Sequence, residues 1–142
     1  MKIQRTGSAH WQGGLMDGKG AITTASGALS DYPYGFASRF EGVAGSNPEE
    51  LLAASHAACF TMALTLVLAE SGLTVEALDT KAVVTLEQGD GGFFIPKVEL
   101  TLRATIPNTN DAMFQAAAAM AKANCPLSKV LNAEITLDAA LN

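Results

Sequence analysis

Two cysteines, two histidines and one arginine set between aromatics are the residues of this chain best suited to chemistry. Cys59 lies in Ser55-His56-Ala57-Ala58-Cys59-Phe60 and Cys125 in Asn124-Cys125-Pro126-Leu127-Ser128. A thiolate is a nucleophile and a metal ligand. A zinc site built from Cys and His would need Cys59, Cys125, His10 and His56 all at once, and their spacing matches no zinc pattern. Metal chemistry is therefore set aside. Redox cycling or covalent catalysis at sulfur remains.

The surroundings of the two thiols differ. Leu51 to Ala69 contains no Asp, Glu, Lys or Arg, and Cys59 sits in its middle. Burial in apolar surroundings raises a thiol's pKa and makes it inert, so chemistry at Cys59 needs a cation nearby. His56 precedes it by three residues, about 60° round a helix and ~4.5 Å along it. It reads either as a partner of the sulfur or as a neutral ring with a satisfied hydrogen bond. Arg39, in Phe36-Ala37-Ser38-Arg39-Phe40, reads either as a surface arginine on a sheet face or as the nearest permanent positive charge. Cys125 precedes a proline at a helix start, where backbone N–H groups and the dipole favour a thiolate. Bare physics thus ranks Cys125 as the easier nucleophile and Cys59 as its buried partner. Free cysteine is also among the most buried residue types, so Cys59 as plain packing stands beside these readings. Only folding can bring the two sulfurs together.

The elements that must position these residues are legible from pattern. Glycines punctuate the N-terminal third, which predicts short strands at roughly 7–13, 19–25 and 35–41. Asn47 as N-cap, Pro48 at the first helical position and Glu49-Glu50 at the positive end predict a helix that ends at Gly72. Residues 76–87 have strand composition. The turn Gly89-Asp90-Gly91-Gly92 joins them to a strand in which Val98, Leu100, Leu102, Ala104 and Ile106 share one face. A helix is predicted over 109–124 with Met113, Ala117 and Met120 as anchors, a short one from Pro126 to Leu131, and a last strand with Ile135, Leu137, Ala139 and Leu141. The order β-β-β-α-β-β-α-α-β is an α+β protein. The uncharged helix approaches the ~20 residues of a membrane span, but its polar side chains and flanking amphipathic strands favour a core helix. A helix apolar all round needs protein on every side. So small a chain cannot supply that, and an obligate homodimer is expected.

The chain has 142 residues, which predicts one domain spanning 1–142 that can bury a core without a staple. Its net charge of −5, with no basic cluster, argues against nucleic acid as a partner. MKIQRTGSAHWQGG contains no apolar run and no cleavage site, so a cytoplasmic location is expected. Cysteines in that reducing setting are more often free, catalytic or redox-sensing than structural.

Arg39-Phe40-Glu41-Gly42, Asn47-Pro48-Glu49-Glu50-Leu51, Ser55-His56-Ala57-Ala58-Cys59-Phe60 and Cys125-Pro126 together resemble the OsmC/Ohr family. The likeness runs from His10-Trp11-Gln12-Gly13 to Ala133-Glu134-Ile135-Thr136-Leu137-Asp138. His56 stands where the Ohr branch commonly has tyrosine, which points to the OsmC branch. The resemblance implies an intertwined homodimer with mixed β-sheets around a long buried central helix, and active sites at the subunit interface. It implies a thiol-dependent peroxidase for organic hydroperoxides, and less so for hydrogen peroxide, without metal, haem or bound cofactor. By matching position it makes Cys59 the peroxidatic cysteine and Cys125 the resolving one, reversing the ranking above. A Cys59–Cys125 intramolecular disulfide would form, to be reduced by an external lipoyl-type dithiol. Arg39 and Glu49 would be the pair that activates Cys59. In an unbroken helix Glu49 lies ~15 Å from Cys59 along the axis and about 80° round it. Either the helix bends between them or Glu49 serves the other subunit's cysteine. Rival readings are a cysteine acyltransferase or hydrolase with His56 as base, and a non-catalytic hydrophobic-ligand or stress-interaction protein.

Overall fold

Three short strands open the chain: β1 (Gly7–Gln12), β2 (Lys19–Thr24) and β3 (Tyr32–Tyr34), antiparallel in the order β1-β2-β3. Gly20 pairs with Trp11 on one side and Tyr34 on the other. A Cβ there would lie 2.2 Å from the Tyr34 ring. Its absence lets the two aromatics close over the glycine with centroids 5.5 Å apart. Pro33 is tolerated because β3 is an edge strand. A computed structural model, describing all 142 residues, divides into two compact units, Met1–Leu51 and Leu52–Asn142.

The strand expected at 35–41 is not formed. Phe36–Phe40 is instead a short helix, α1, after Gly35 as its N-cap. Phe36 and Phe40 stand at i and i+4, so one helical turn brings their rings together, tilted, with centroids 4.9 Å apart. Ser38 fixes that turn: its Oγ accepts from the Gly35 N–H at 2.9 Å and donates to the Ser46 carbonyl at 2.9 Å. Gly45, at φ +146°, lets the chain pass there, since a Cβ would lie 2.8 Å from that of Ser38. The true third strand, Tyr32–Tyr34, lies just ahead.

The long helix α2 runs unbroken over Pro48–Glu70. Asn47 Oδ1 caps it by accepting from the Glu50 N–H at 2.8 Å. Gly72, at φ +75°, ends it: its N–H reaches the Ala69 carbonyl at 3.0 Å, and that of Leu73 reaches Leu68 at 2.9 Å. By length and composition alone α2 passes as a membrane span. In the fold one line of it, His56, Phe60, Leu64 and Leu68, is buried. Its apolar members join the core with Leu100, Leu102, Ala104, Phe114 and Ala121. The other side is bare within the chain, with Met62 at 76% exposure and Leu66 at 61%.

The second sheet comprises β4 (Ala77–Gly89), β5 (Gly92–Thr105) and β6 (Glu134–Leu141) in the order β4-β5-β6. β4 and β5 form the expected hairpin; β5 and β6 are parallel. A parallel pair needs a long crossover, and α3 (Asp111–Asn124) with α4 (Pro126–Val130) supplies it. The alternation of β5 holds, with Val98, Leu100, Leu102 and Ala104 buried. Of the three expected anchors of α3, Ala117 is buried and the two methionines are not. Met113 and Met120 are 47% and 52% exposed, whereas Phe114, Ala117, Ala118 and Ala121 are buried. Alanines let α3 pack closely, and the longer methionines lie outside the seam.

Candidate functional site

The first unit carries Arg39 on α1 and Glu49 in the first turn of α2. Arg39 Nε donates to Glu49 Oε2 at 3.2 Å and Nη2 to Oε1 at 2.6 Å. This two-pronged geometry fixes the plane of the guanidinium. The arginine also lies 5.3 Å from the Phe40 ring centroid. It borders a hollow of about 220 Å³ with Trp11, Leu15, Tyr34 and Phe36. Glu49 owes its place to the cap: Asn47 and Pro48 set the helix start, and the residue after Pro48 must point its carboxylate from the first turn.

The second unit brings together two residues that sequence spacing keeps far apart. The sulfurs of Cys59 and Cys125 lie 3.1 Å apart across 66 residues, both as free thiols. Cys125 is fully buried, while Cys59 is half-buried and opens onto a largely apolar groove of about 710 Å³. Met62, Leu66, Met120 and Pro126 are among its walls. Burial and then the hydrogen bond to Cys125 push the Cys59 thiol above its ordinary pKa. Burial acts upward on Cys125 too. The hydrogen bond with Cys59 and the groups of Ser128 and Leu127 at the start of α4 outweigh it, and Cys125 falls below its ordinary value.

His56 does not face Cys59 as its base. It is fully buried, and its Nε2 is 2.8 Å from Ser128 Oγ. Its Nδ1 is buried without a partner. Burial lowers its pKa, which keeps the ring neutral. Ser128 is the residue sequence reasoning passed over. Its signal was there: it stands three residues after Cys125 in a helix that Pro126 begins, within one turn of the sulfur.

The arrangement holds two thiols near disulfide distance, one opening to an apolar groove. It also presents a guanidinium clamped by a carboxylate beside an aromatic hollow. Comparison with known proteins gives this a context. Residues 41–140 match the family model described as OsmC-like protein. The chain is 50% identical to the peroxiredoxin OsmC of Escherichia coli (strain K12), over 97% of this chain and 96% of that one. It is 33% identical to the organic hydroperoxide resistance protein OhrB of Bacillus subtilis (strain 168), over 67% of this chain and 68% of that one. The crystal structure of Bacillus subtilis OhrB superposes with a TM-score of 0.71 at 30% identity, covering 95% of this chain and 98% of that one. An organic hydroperoxide resistance protein from Elizabethkingia anophelis superposes with a TM-score of 0.73 at 29% identity, over 100% of both chains.

Proposed function

This chain belongs to the OsmC family, and from that premise we propose that it is a cysteine-based peroxidase that reduces organic hydroperoxides. Cys59 is the peroxidatic cysteine. Its thiolate attacks the distal peroxide oxygen, the O–O bond breaks, and the alkoxide leaves and takes a proton to become alcohol. Cys59 then carries a sulfenic acid. Cys125 attacks that sulfur, the S–O bond breaks, and water departs as the disulfide forms. An external dithiol, of lipoyl type by family likeness, reopens it by exchange. The groove beside Cys59 favours substrates with an apolar tail.

The observation that most supports this reading is the 3.1 Å between the two sulfurs. A disulfide is ~2.05 Å long, so closure asks for about 1 Å of movement. Arg39, held by Glu49, is the cation that the raised Cys59 thiol needs. The unbroken α2 separates Glu49 from Cys59 by ten residues, ~15 Å along an ideal axis. The pair is therefore assigned to the Cys59 of a partner subunit in a homodimer, with a cytoplasmic setting to keep the thiols reduced.

Titrating the reduced protein with an organic hydroperoxide tests the chemistry. Two thiols should vanish per peroxide, and Cys125→Ser should stop after one sulfenic event. Thiols unchanged after equimolar peroxide would refute the peroxidase. Mixing Cys59→Ala and Glu49→Ala subunits tests the geometry: mixed dimers should recover activity that neither parent has. Mixtures as inactive as their parents would place the pair in the same subunit as its cysteine.

A further inference from the structure

The elements that carry the two cysteines meet at a second point. Three residues before Cys59 on α2 stands His56, and three residues after Cys125 on α4 stands Ser128. The two pairs form parallel rungs: sulfur to sulfur at 3.1 Å, and His56 Nε2 to Ser128 Oγ at 2.8 Å. We propose that the His56–Ser128 hydrogen bond is a clasp that holds Cys125 against Cys59, so that disulfide closure outruns overoxidation; the role rests on the peroxidase reading above.

The direction of the bond follows from what the ring lacks. Nδ1 is buried with no partner. An orphaned N–H in the interior is rarer and costlier than an orphaned acceptor, so the single proton of the neutral ring belongs on Nε2. Nε2–H then donates to Ser128 Oγ. The serine stands on the helix that begins at the residue after Cys125. The bond from His56 Nε2–H to Ser128 Oγ tethers that helix, and with it the resolving sulfur at its N-cap. A Cys59 sulfenic acid has two fates. Attack by Cys125 forms the S–S bond, breaks S–O and releases water with the Cys125 proton. A second hydroperoxide instead transfers one more oxygen, giving a sulfinic acid and another alcohol. The clasp sets the ratio between them.

The test is the share of Cys59 recovered as sulfinic acid per cumene hydroperoxide consumed, measured by mass spectrometry. Ser128→Ala and His56→Leu should raise that share about five-fold, the weight of one hydrogen bond. Ser128→Thr and His56→Gln, which keep a hydroxyl and an N–H donor, should restore it. An unaltered share in both disruptive variants would overturn the proposal. So would a nitrogen NMR spectrum of the wild-type protein in which Nε2 shows no hydrogen bond, a measurement that needs no variant to fold. If the wild type forms neither sulfenic acid nor disulfide with the peroxide, the peroxidase reading itself has failed. Closure of the Cys59–Cys125 bond by diamide then still tests the clasp, and equal rates in wild type and Ser128→Ala would refute it.

Discussion

Within their own unit the Cys59 thiol is pushed above its ordinary pKa and the Cys125 thiol is drawn below it. That is the ranking bare sequence physics suggested. The proposed nucleophilic attack from Cys59 would therefore depend on charge brought from outside the thiol pair, and Arg39 is the residue proposed to bring it. Arg39→Met should slow the peroxide step about 100-fold, the usual loss when one preorganised electrostatic stabiliser is removed. Arg39→Lys should recover only part, since an ammonium cannot make the two-pronged bond to Glu49. Stopped-flow oxidation of the reduced variants reads both, and a full-speed Arg39→Met would remove the arginine from the mechanism. His56 gives a second handle. Its pKa is lowered in the fold by burial, so below about pH 6.5 the unfolded chain takes up a proton that the folded chain refuses. Stability contributed by the neutral ring is complete above that value and is lost as pH falls toward the lower folded pKa. Urea melts should show an acid slope of at most about 1.4 kcal/mol per pH unit from this group, absent in His56→Gln.

At the scale of elements, the long helix was the most legible part of the chain because its signals are local. Asn47, Pro48, Glu49 and Gly72 mark its ends and act there as their chemistry requires. The alternation of β5 was equally plain. The segment 35–41 misled because its i, i+4 phenylalanines were read by strand composition, and the Ser38 bonds that favour the helical turn involve Gly35 and Ser46. The methionines of α3 misled because hydrophobicity ranks Met above Ala, whereas a close-packed seam selects the smaller side chain. At the site, Arg39 with Glu49 and Cys59 with Cys125 were named through family resemblance. Their separations of 10 and 66 residues are not bridged by any local rule. The buried line of α2 makes its own prediction. Leu64 is fully buried among core residues, so Leu64→Ala should cost about 2–5 kcal/mol, read as a lower urea midpoint at constant m-value. A loss below 1 kcal/mol would mean the seam is not the anchor of the helix.

For the whole molecule, the decisive feature is what α2 leaves uncovered. Ala54, Ser55, Ala58, Met62, Thr65 and Leu66 are exposed on the side away from the buried line. A helix without a charged residue between Leu51 and Ala69 gains nothing from showing that side to water. A second copy of the chain, as the homodimer reading holds, would cover it. Leu66→Glu should then split the protein into monomers, because the new carboxylate would have to be buried unpaired at the contact. Sedimentation at micromolar concentration would show one chain in place of two. Activity should fall with assembly, because Arg39 and Glu49 are proposed to serve the cysteine of the other subunit. The thiols of the monomer would keep their own juxtaposition, which lies within one unit of one chain. Diamide should therefore still close the Cys59–Cys125 bond in Leu66→Glu while hydroperoxide no longer oxidises it efficiently. A monomer that consumes hydroperoxide at the wild-type rate would show that each chain carries its own complete site, and the exposed side of α2 would then need another explanation.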